Sequence, residues 1–450
     1  MERGGWGIGQ MTRPLYLYLI AGEPSGDRLA AGLMQALRAE EPGVRFKGIG
    51  GRMMAAEGLS SLFDIGDLGV MGIAEVVPRL RMLMRRIREA TGDVLRAAPD
   101  ALITIDSPSF GLRVAERVRA KARGTRTIHS VAPSVWAWRP GRARQMAGYI
   151  DHVLALLPFE PPYMTAAGMS CDFVGHPVAG HPVASADEIA AFRARAGVGE
   201  GQPLLLLAPG SRRGEVSHLM PVFAGVLAQV VARRPDIRVA IPVAETVVAE
   251  VMAATAGLEP HPVLVLPDQG EAAKRASFAA ADCALVASGT VTLEMAAAGT
   301  PMVSAYKTSW LTAAIARRLL RVDSANLVNL VGGANVVPEF LQEDCRAERI
   351  APAVLGLLED PTTQAAQGAA FERVMLALGR GGEPASVRAA RSVLGVLNLS
   401  PLPNPPPSGE RGQVTGAGNA VLSGPQHPNS RAWGRRYRVG AGGRFSGPGR

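Results

Sequence analysis

Five short stretches of this chain hold residue types that could do transfer chemistry, and each follows an apolar run. Gly22-Glu23-Pro24-Ser25-Gly26-Asp27 is rich in small residues that let a backbone approach a ligand, and the helix expected after it offers a partly positive N-terminus. Asp27 could equally cap that helix. Asp106-Ser107-Pro108-Ser109-Phe110 places a carboxylate at a strand end. Such a group is a candidate general base, or it closes a turn. Pro209-Gly210-Ser211-Arg212-Arg213 leads into another helix, and small residues beside arginines suit a phosphate. Ser288-Gly289-Thr290-Val291-Thr292-Leu293-Glu294 offers hydroxyls and N–H groups at a helix start, with Glu294 one turn in as an acceptor for ribose hydroxyls or as a helix-start carboxylate. The fifth, Ala132 to Pro140, contains Trp136, Trp138 and Arg139, with Arg142 and Arg144 beyond. It could hold a sugar face and a phosphate, or pack as a lid. His129, just upstream, reads first as a packed strand residue.

These stretches also exclude chemistry. Neither the 22–27 loop nor Gly48-Ile49-Gly50-Gly51 is GxGxxG, which disfavours a nicotinamide dehydrogenase, and GxxxxGK[ST] is absent. No Asp-x-Asp occurs. Arginines and helix dipoles are therefore expected to do the work of a divalent metal, with no metal site and no cofactor.

The elements that position these loops alternate. Strands are predicted at Leu15–Ile20, Ala101–Ile105, Thr127–Val131 and Val153–Leu157, then at Leu204–Ala208, Val239–Val243, Val263–Leu266, Ala284–Val286 and Met302–Tyr306. Helices are predicted near Leu29–Arg38, Arg113–Ala122, Val216–Arg233, Thr363–Ala377 and Pro384–Leu397. Continuous apolar strands separated by helices imply parallel sheets covered on both faces. Two such runs, joined near Gly180–Ser185, predict two doubly wound halves facing a cleft, with ligands at the carboxyl ends of the strands. The last helices could pack back across the first half.

The chain has 450 residues and a net charge of +9, unevenly placed. Residues 401–450 carry seven arginines against one glutamate, with 11 glycines and 8 prolines, and read as a disordered tail. The remaining 400 residues are close to neutral, so the basic balance is no argument for nucleic acid, and none is expected as partner. Cys171, Cys283 and Cys345 are far apart and form no CxxC, which fits a reducing compartment. No run reaches the ~20 consecutive apolar residues of a membrane span, and residues 1–10 lack the apolar region of a secretory signal. In Gly69–Arg88, Leu80, Leu83 and Ile87 recur at helical spacing, with Arg81, Arg85 and Arg88 on another face and Pro78 suited to the first turn. Such a segment can lie in an anionic membrane interface, or form a core helix with a solvated basic face.

Eight strings, in order, resemble the lipid-A-disaccharide synthase family: AGEPSGD (21–27), VMGIAEVVPRL (70–80), PSVWAWRPGR (133–142), LALLPFEP (154–161), FVGHP (173–177), PGSRRGEV (209–216), ASGTVTLE (287–294) and VPEFLQ (337–342). The resemblance runs from about Leu15 to about Leu397. It implies an α/β GT-B fold of two Rossmann-like domains, 11–182 facing acceptor and membrane and 183–365 binding the UDP-sugar. Helices in 366–398 would return to the first domain, between an extension at 1–10 and the tail at 399–450. It further implies an inverting transfer from UDP-2,3-diacylglucosamine to the 6-hydroxyl of 2,3-diacylglucosamine 1-phosphate (lipid X). The products are a β-1,6 disaccharide 1-phosphate and UDP.

By the same resemblance Asp106 is catalytic. Gly210, Ser211, Arg212, Ser288, Gly289, Thr290, Glu294 and Asn329 belong to the UDP-sugar site. From the loops read above, Gly22, Glu23, Ser25, Gly26, Asp27, Trp136 and Arg139 are the residues expected in the acceptor and cleft loops. Val70, Met71, Val76, Leu80 and Leu83 dock on lipids at the cytoplasmic face of the inner membrane. The oligomeric state stays open, with a homodimer as one option. One departure stands out: where the family carries Asp-x-Pro-Asp-Phe, this chain has Ser109 in place of the second carboxylate. A related GT-B enzyme, such as a UDP-N-acetylglucosamine epimerase, would not need the segment 69–88, and a binding protein without catalysis would hold nucleotide without turnover.

Overall fold

The computed structural model describes residues 13–68, 73–139, 141–309 and 324–398. Six strands form the first sheet: β1 (Tyr16–Ala21), β2 (Arg45–Ile49), β3 (Ala101–Ile105), β4 (Arg126–Ser130), β5 (His152–Ala155) and β6 (Ser170–Phe173). Six form the second: β7 (Leu204–Ala208), β8 (Arg238–Pro242), β9 (Val263–Val265), β10 (Cys283–Ala287), β11 (Met302–Tyr306) and β12 (Glu339–Leu341). The pairings within both sheets are parallel. Residues of β3, β7 and β10 are buried along their whole length, as apolar strands covered on both faces must be.

The strand order is β2-β1-β3-β4-β5-β6 in one sheet and β12-β11-β10-β7-β8-β9 in the other. Each sheet is therefore built outward in two directions from a central pair, β1 with β3 and β7 with β10. At these two switch points the loops leaving neighbouring strands diverge, and a crevice opens at the carboxyl ends. The loops that flank them follow β1, β3, β7 and β10, and four of the five chemically promising stretches are these loops.

The predicted strands match to within about two residues. β2, β6 and β12 have no predicted counterpart. All three lie at sheet edges, where the sequences RFKGI, SCDF and EFL carry polar residues and partly exposed positions in place of a continuous apolar run.

The two C-terminal helices separate. Pro361–Ala377 packs Phe371, Val374 and Met375 into the core of the second half, whereas Ala385–Asn398 places Ala389, Ala390, Val393 and Val396 in the core under β1 and helix Pro24–Glu40. Only the last helix makes the return. A His152–Ser392–Asp172 network holds it to the edge of the first sheet, with His152 Nε2 2.8 Å from Ser392 Oγ and that hydroxyl 2.7 Å from Asp172. Among the described residues one helix, Arg213–Arg233, is long and apolar enough to cross a membrane. It is a core helix, with Val216, Leu219, Phe223, Val226, Leu227 and Val230 buried in the second half.

Candidate active site

At the first switch point the backbone reverses sharply. Asp106 and Ser107 both have left-handed φ angles, 53° and 41°, which turn the chain back as it leaves β3. Asp106 N–H donates to the Ser130 carbonyl at 3.0 Å, so the turn is braced against β4. The Asp106 carboxylate accepts Ser25 Oγ–H at 2.9 Å and the Ser107 N–H at 2.9 Å. Strand β1's loop is thus tied to β3's loop through the candidate base. Gly22 makes the approach possible, because a Cβ there would lie 2.4 Å from Ser107 Oγ. Gly26 likewise sits beneath Ile105 and Asp106. Ser109 is exposed.

Asp27 has a different task from the one expected of it in the cleft loop. It is buried, and its carboxylate accepts the N–H groups of Gly51 (2.7 Å), Met53 (2.9 Å) and Met54 (3.1 Å). It caps the next helix, Arg52–Ala56, rather than its own, and does not face the cleft as a ligand group. Glu23 remains in the cleft. Burial and the neighbouring Asp106 hold its carboxyl above the usual range, and Arg212 opposes them. Glu23 is thus influenced by Asp106 of the first half and by Arg212 of the second.

In the second half the loop after β7 depends on Gly210, whose φ is +106° and whose absent side chain leaves room for Glu215. Glu215 Oε2 accepts the N–H groups of Ser211 (3.1 Å) and Arg212 (3.3 Å). This corrects the phosphate reading of the loop: those two donors are already capped from within helix Arg213–Arg233. What the loop offers an anion is the Arg212 guanidinium, 58% exposed beside Glu215, whereas Arg213 pairs with Glu250 at 2.8 Å. The loop after β10 is the reverse case. Helix Thr290–Ala298 starts at Gly289, and among the described residues no side chain caps its first turn, so the Thr290 and Val291 N–H groups suit a diphosphate. Ser288 Oγ donates to Glu339 at 2.8 Å, which fixes the loop against β12. Glu294 Oε1 meets Lys274 Nζ at 2.8 Å.

Asn329 also has a structural partner. Its amide donates to the Val337 carbonyl (2.9 Å) and its oxygen accepts the Val337 N–H (3.0 Å), both buried. It is a backbone clamp. Glu215, Glu339, Lys274 and Tyr306 are site-flanking residues without a predicted role. Tyr306 ends β11, and burial and Glu215 hold its hydroxyl above the usual range, with Arg212 acting the other way. The first two stand inside the strings PGSRRGEV and VPEFLQ, and Arg212-x-x-Glu215 has the spacing of a capping box.

Trp136 packs edge-on against Phe159, ring centroids 5.2 Å apart, and its indole N–H donates to Glu160 at 3.3 Å. It belongs to the second-half core contact, not to a sugar platform. The exposed aromatic is Trp138, with the Arg139 guanidinium 4.7 Å from its ring centroid. His129 is fully buried in β4, its Nδ1 2.8 Å from Thr104 Oγ1, and burial pushes its pKa down to about 3. It cannot reach an acceptor in the cleft.

Glu160 is buried, and its pKa is pushed up to about 7 by desolvation, against hydrogen bonds from Leu157 and Trp136. The folded protein therefore keeps a proton that the unfolded chain loses near 4.5. Stability from this group is complete below the unfolded value and is lost as pH rises towards 7, by up to about 3 kcal/mol. Wild type should lose more melting temperature between pH 5 and 8 than Glu160→Gln. Parallel profiles for the two proteins would refute the assignment.

Val70 and Met71 lie outside the described residues, as do the side chains of Val76 and Leu80. Leu83 is partly buried and packs against the first-half core. The helix runs Ile73–Ala97, which puts Pro78 in its second turn rather than its first. Arg81, Arg85 and Arg88 are exposed, and Arg86 is held by Asp67 and by Glu89 at 2.7 Å.

Two parallel six-stranded sheets, each with its switch point at a central strand pair, give the GT-B fold seen in glycosyltransferases and related UDP-sugar enzymes. Solved structures bear the fold out. A putative UDP-N-acetylglucosamine 2-epimerase from Listeria monocytogenes superposes with a TM-score of 0.55 at 13% identity, covering 86% of this chain and 96% of that one. An S. aureus MnaA–UDP complex gives 0.55 at 12%, covering 86% and 98%. The family model described as lipid-A-disaccharide synthetase matches residues 17–390, and the chain belongs to that family. It is 53% identical over 387 residues to the lipid-A-disaccharide synthase of Ruegeria pomeroyi, covering 85% of this chain and 95% of that one. To the Rhodospirillum centenum enzyme it is 46% identical over 386 residues, covering 86% and 95%.

Proposed function

We propose that the chain joins UDP-2,3-diacylglucosamine to 2,3-diacylglucosamine 1-phosphate in one inverting displacement at the cytoplasmic surface of the inner membrane. Asp106 takes the proton of the acceptor 6-hydroxyl as that oxygen attacks the anomeric carbon. The bond to the diphosphate breaks on the opposite face, and UDP leaves with the negative charge. Arg212 and the uncapped start of helix Thr290–Ala298 stabilise that charge. Glu294 receives the ribose, and Trp138 with Arg139 offers an aromatic and a cation at the rim.

What supports this reading is that Asp106 and Arg212 stand on the loops leaving β3 and β7 at the two switch points, and that the Glu23 carboxyl is influenced by both. UDP release from the acylated donor should require the acylated acceptor. Release without acceptor, or isomerisation of the donor, would overturn the reading.

Membrane association is proposed to run through the helix Ile73–Ala97. Its exposed Arg81, Arg85 and Arg88 suit anionic headgroups, and the attraction is salt-sensitive. Changing all three to glutamate should lower sedimentation with phosphatidylglycerol vesicles several-fold at low salt and little with neutral vesicles. Equal loss on both vesicle types would refute the electrostatic part.

A further inference from the structure

We propose that Lys274 is a positioning residue for nucleotide recognition: it holds the Glu294 carboxylate in the orientation that accepts the ribose hydroxyls. The inference rests on the reading that Glu294 receives the ribose. Lys274 comes from a different element, helix Gly270–Ala280, and none of the motifs around the site includes it.

The geometry is specific. Lys274 Nζ lies 2.8 Å from Glu294 Oε1, and the structure gives Oε2 no partner among the described residues. One oxygen is anchored and the other is free for a ligand. The lysine is itself restrained, with Nζ 5.3 Å from the centroid of the Phe278 ring one turn further along its helix. Both partners are partly shielded, 34% and 23% exposed, so the pair is less screened than a surface bridge. A glutamate on a helix surface samples several rotamers, and a carboxylate that must accept two hydroxyls gains most from being held in one of them before ligand arrives.

The same helix reaches the other half. Arg28, at the start of the helix that carries Ser25, meets Glu271 at 3.2 Å, and Glu271 lies one turn before Lys274. His181 in the connection between the halves is influenced by Glu294, Arg28, Glu271 and Lys274 together. Helix Gly270–Ala280 therefore stands between the acceptor half and the ribose carboxylate, where an orienting group belongs.

The test compares full-length wild type, Glu294→Gln, Lys274→Met and Lys274→Arg for binding of UDP and of 2′,3′-dideoxyuridine diphosphate. Methionine keeps the apolar stem over Phe278 and removes the charge. Wild type should prefer UDP by roughly tenfold or more, since a site built to bond hydroxyls rejects the analogue that lacks them. Lys274→Met should lose most of that preference by weakening UDP while the dideoxy analogue binds as before, and Lys274→Arg should restore it. In turnover, KM for the donor should rise in Lys274→Met with kcat nearly unchanged. If Glu294→Gln abolishes the preference and Lys274→Met keeps it, the positioning role is wrong and the ribose reading stands. If Glu294→Gln keeps the preference, the ribose reading itself is wrong. Equal weakening of both nucleotides in Lys274→Met would mean a structural role only and would also overturn the proposal.

Discussion

Asp106→Asn should lower turnover by ~10²–10⁴-fold, the usual contribution of a positioned carboxylate that takes a proton, while UDP affinity and melting temperature hold. The surroundings make this substitution a clean test. Asparagine can still accept the Ser107 N–H, and the Ser25 hydroxyl can turn to accept from the amide. Asparagine also tolerates the left-handed backbone at this position, where φ is 53°. What it cannot do is accept a proton. If Asp106 only braced the turn, the asparagine protein would work near the wild-type rate and only Asp106→Ala would be damaged, with a lowered melting temperature. In that event the next group to test is Glu23, the adjacent carboxylate held above its usual range, because His129 is sealed inside the sheet.

Arg212→Ala should weaken UDP binding by about 1.5–3 kcal/mol, roughly tenfold to a hundredfold, the cost of losing a charge-assisted contact to the leaving diphosphate. kcat should fall as well, because negative charge grows on that group as the bond breaks. The fold should be nearly untouched. The side chain is 58% exposed, its pairing with Glu215 is of the weak surface kind, and Glu215 continues to cap the backbone of residues 211 and 212. Arg213→Ala is the matched control, the neighbouring arginine whose partner is Glu250. Unchanged UDP affinity in Arg212→Ala would leave the uncapped helix Thr290–Ala298 as the phosphate site and remove Arg212 from it.

How far the site was legible varied by residue. That Asp106, Arg212 and the 288–290 turn stand at carboxyl ends of strands was legible, because each follows a short, continuously buried strand. Asp27 and Trp136 sit in the same kinds of string, and Asn329 was expected only from the resemblance, yet each side chain is turned to a structural partner. Nothing in a one-dimensional pattern distinguishes an aspartate that caps its own helix from one that caps a helix 25 residues on. The missed edge strands have the same origin: a strand with one exposed side needs no continuous apolar run.

By itself, the sequence determined that there would be two parallel sheets, because only strands buried on both faces are written as unbroken apolar runs between helices. It also determined which loops were rich enough in small and charged residues to act. The tertiary structure alone decided the strand order, and with it that the loops after β1, β3, β7 and β10 adjoin the two switch points. It alone decided that Glu215 occupies the N–H groups of one helix start while another stays uncapped, and that Lys274 reaches Glu294. These outcomes depend on contacts between residues far apart in the chain, set by how helices pack on the sheets, and local residue pattern carries no record of them.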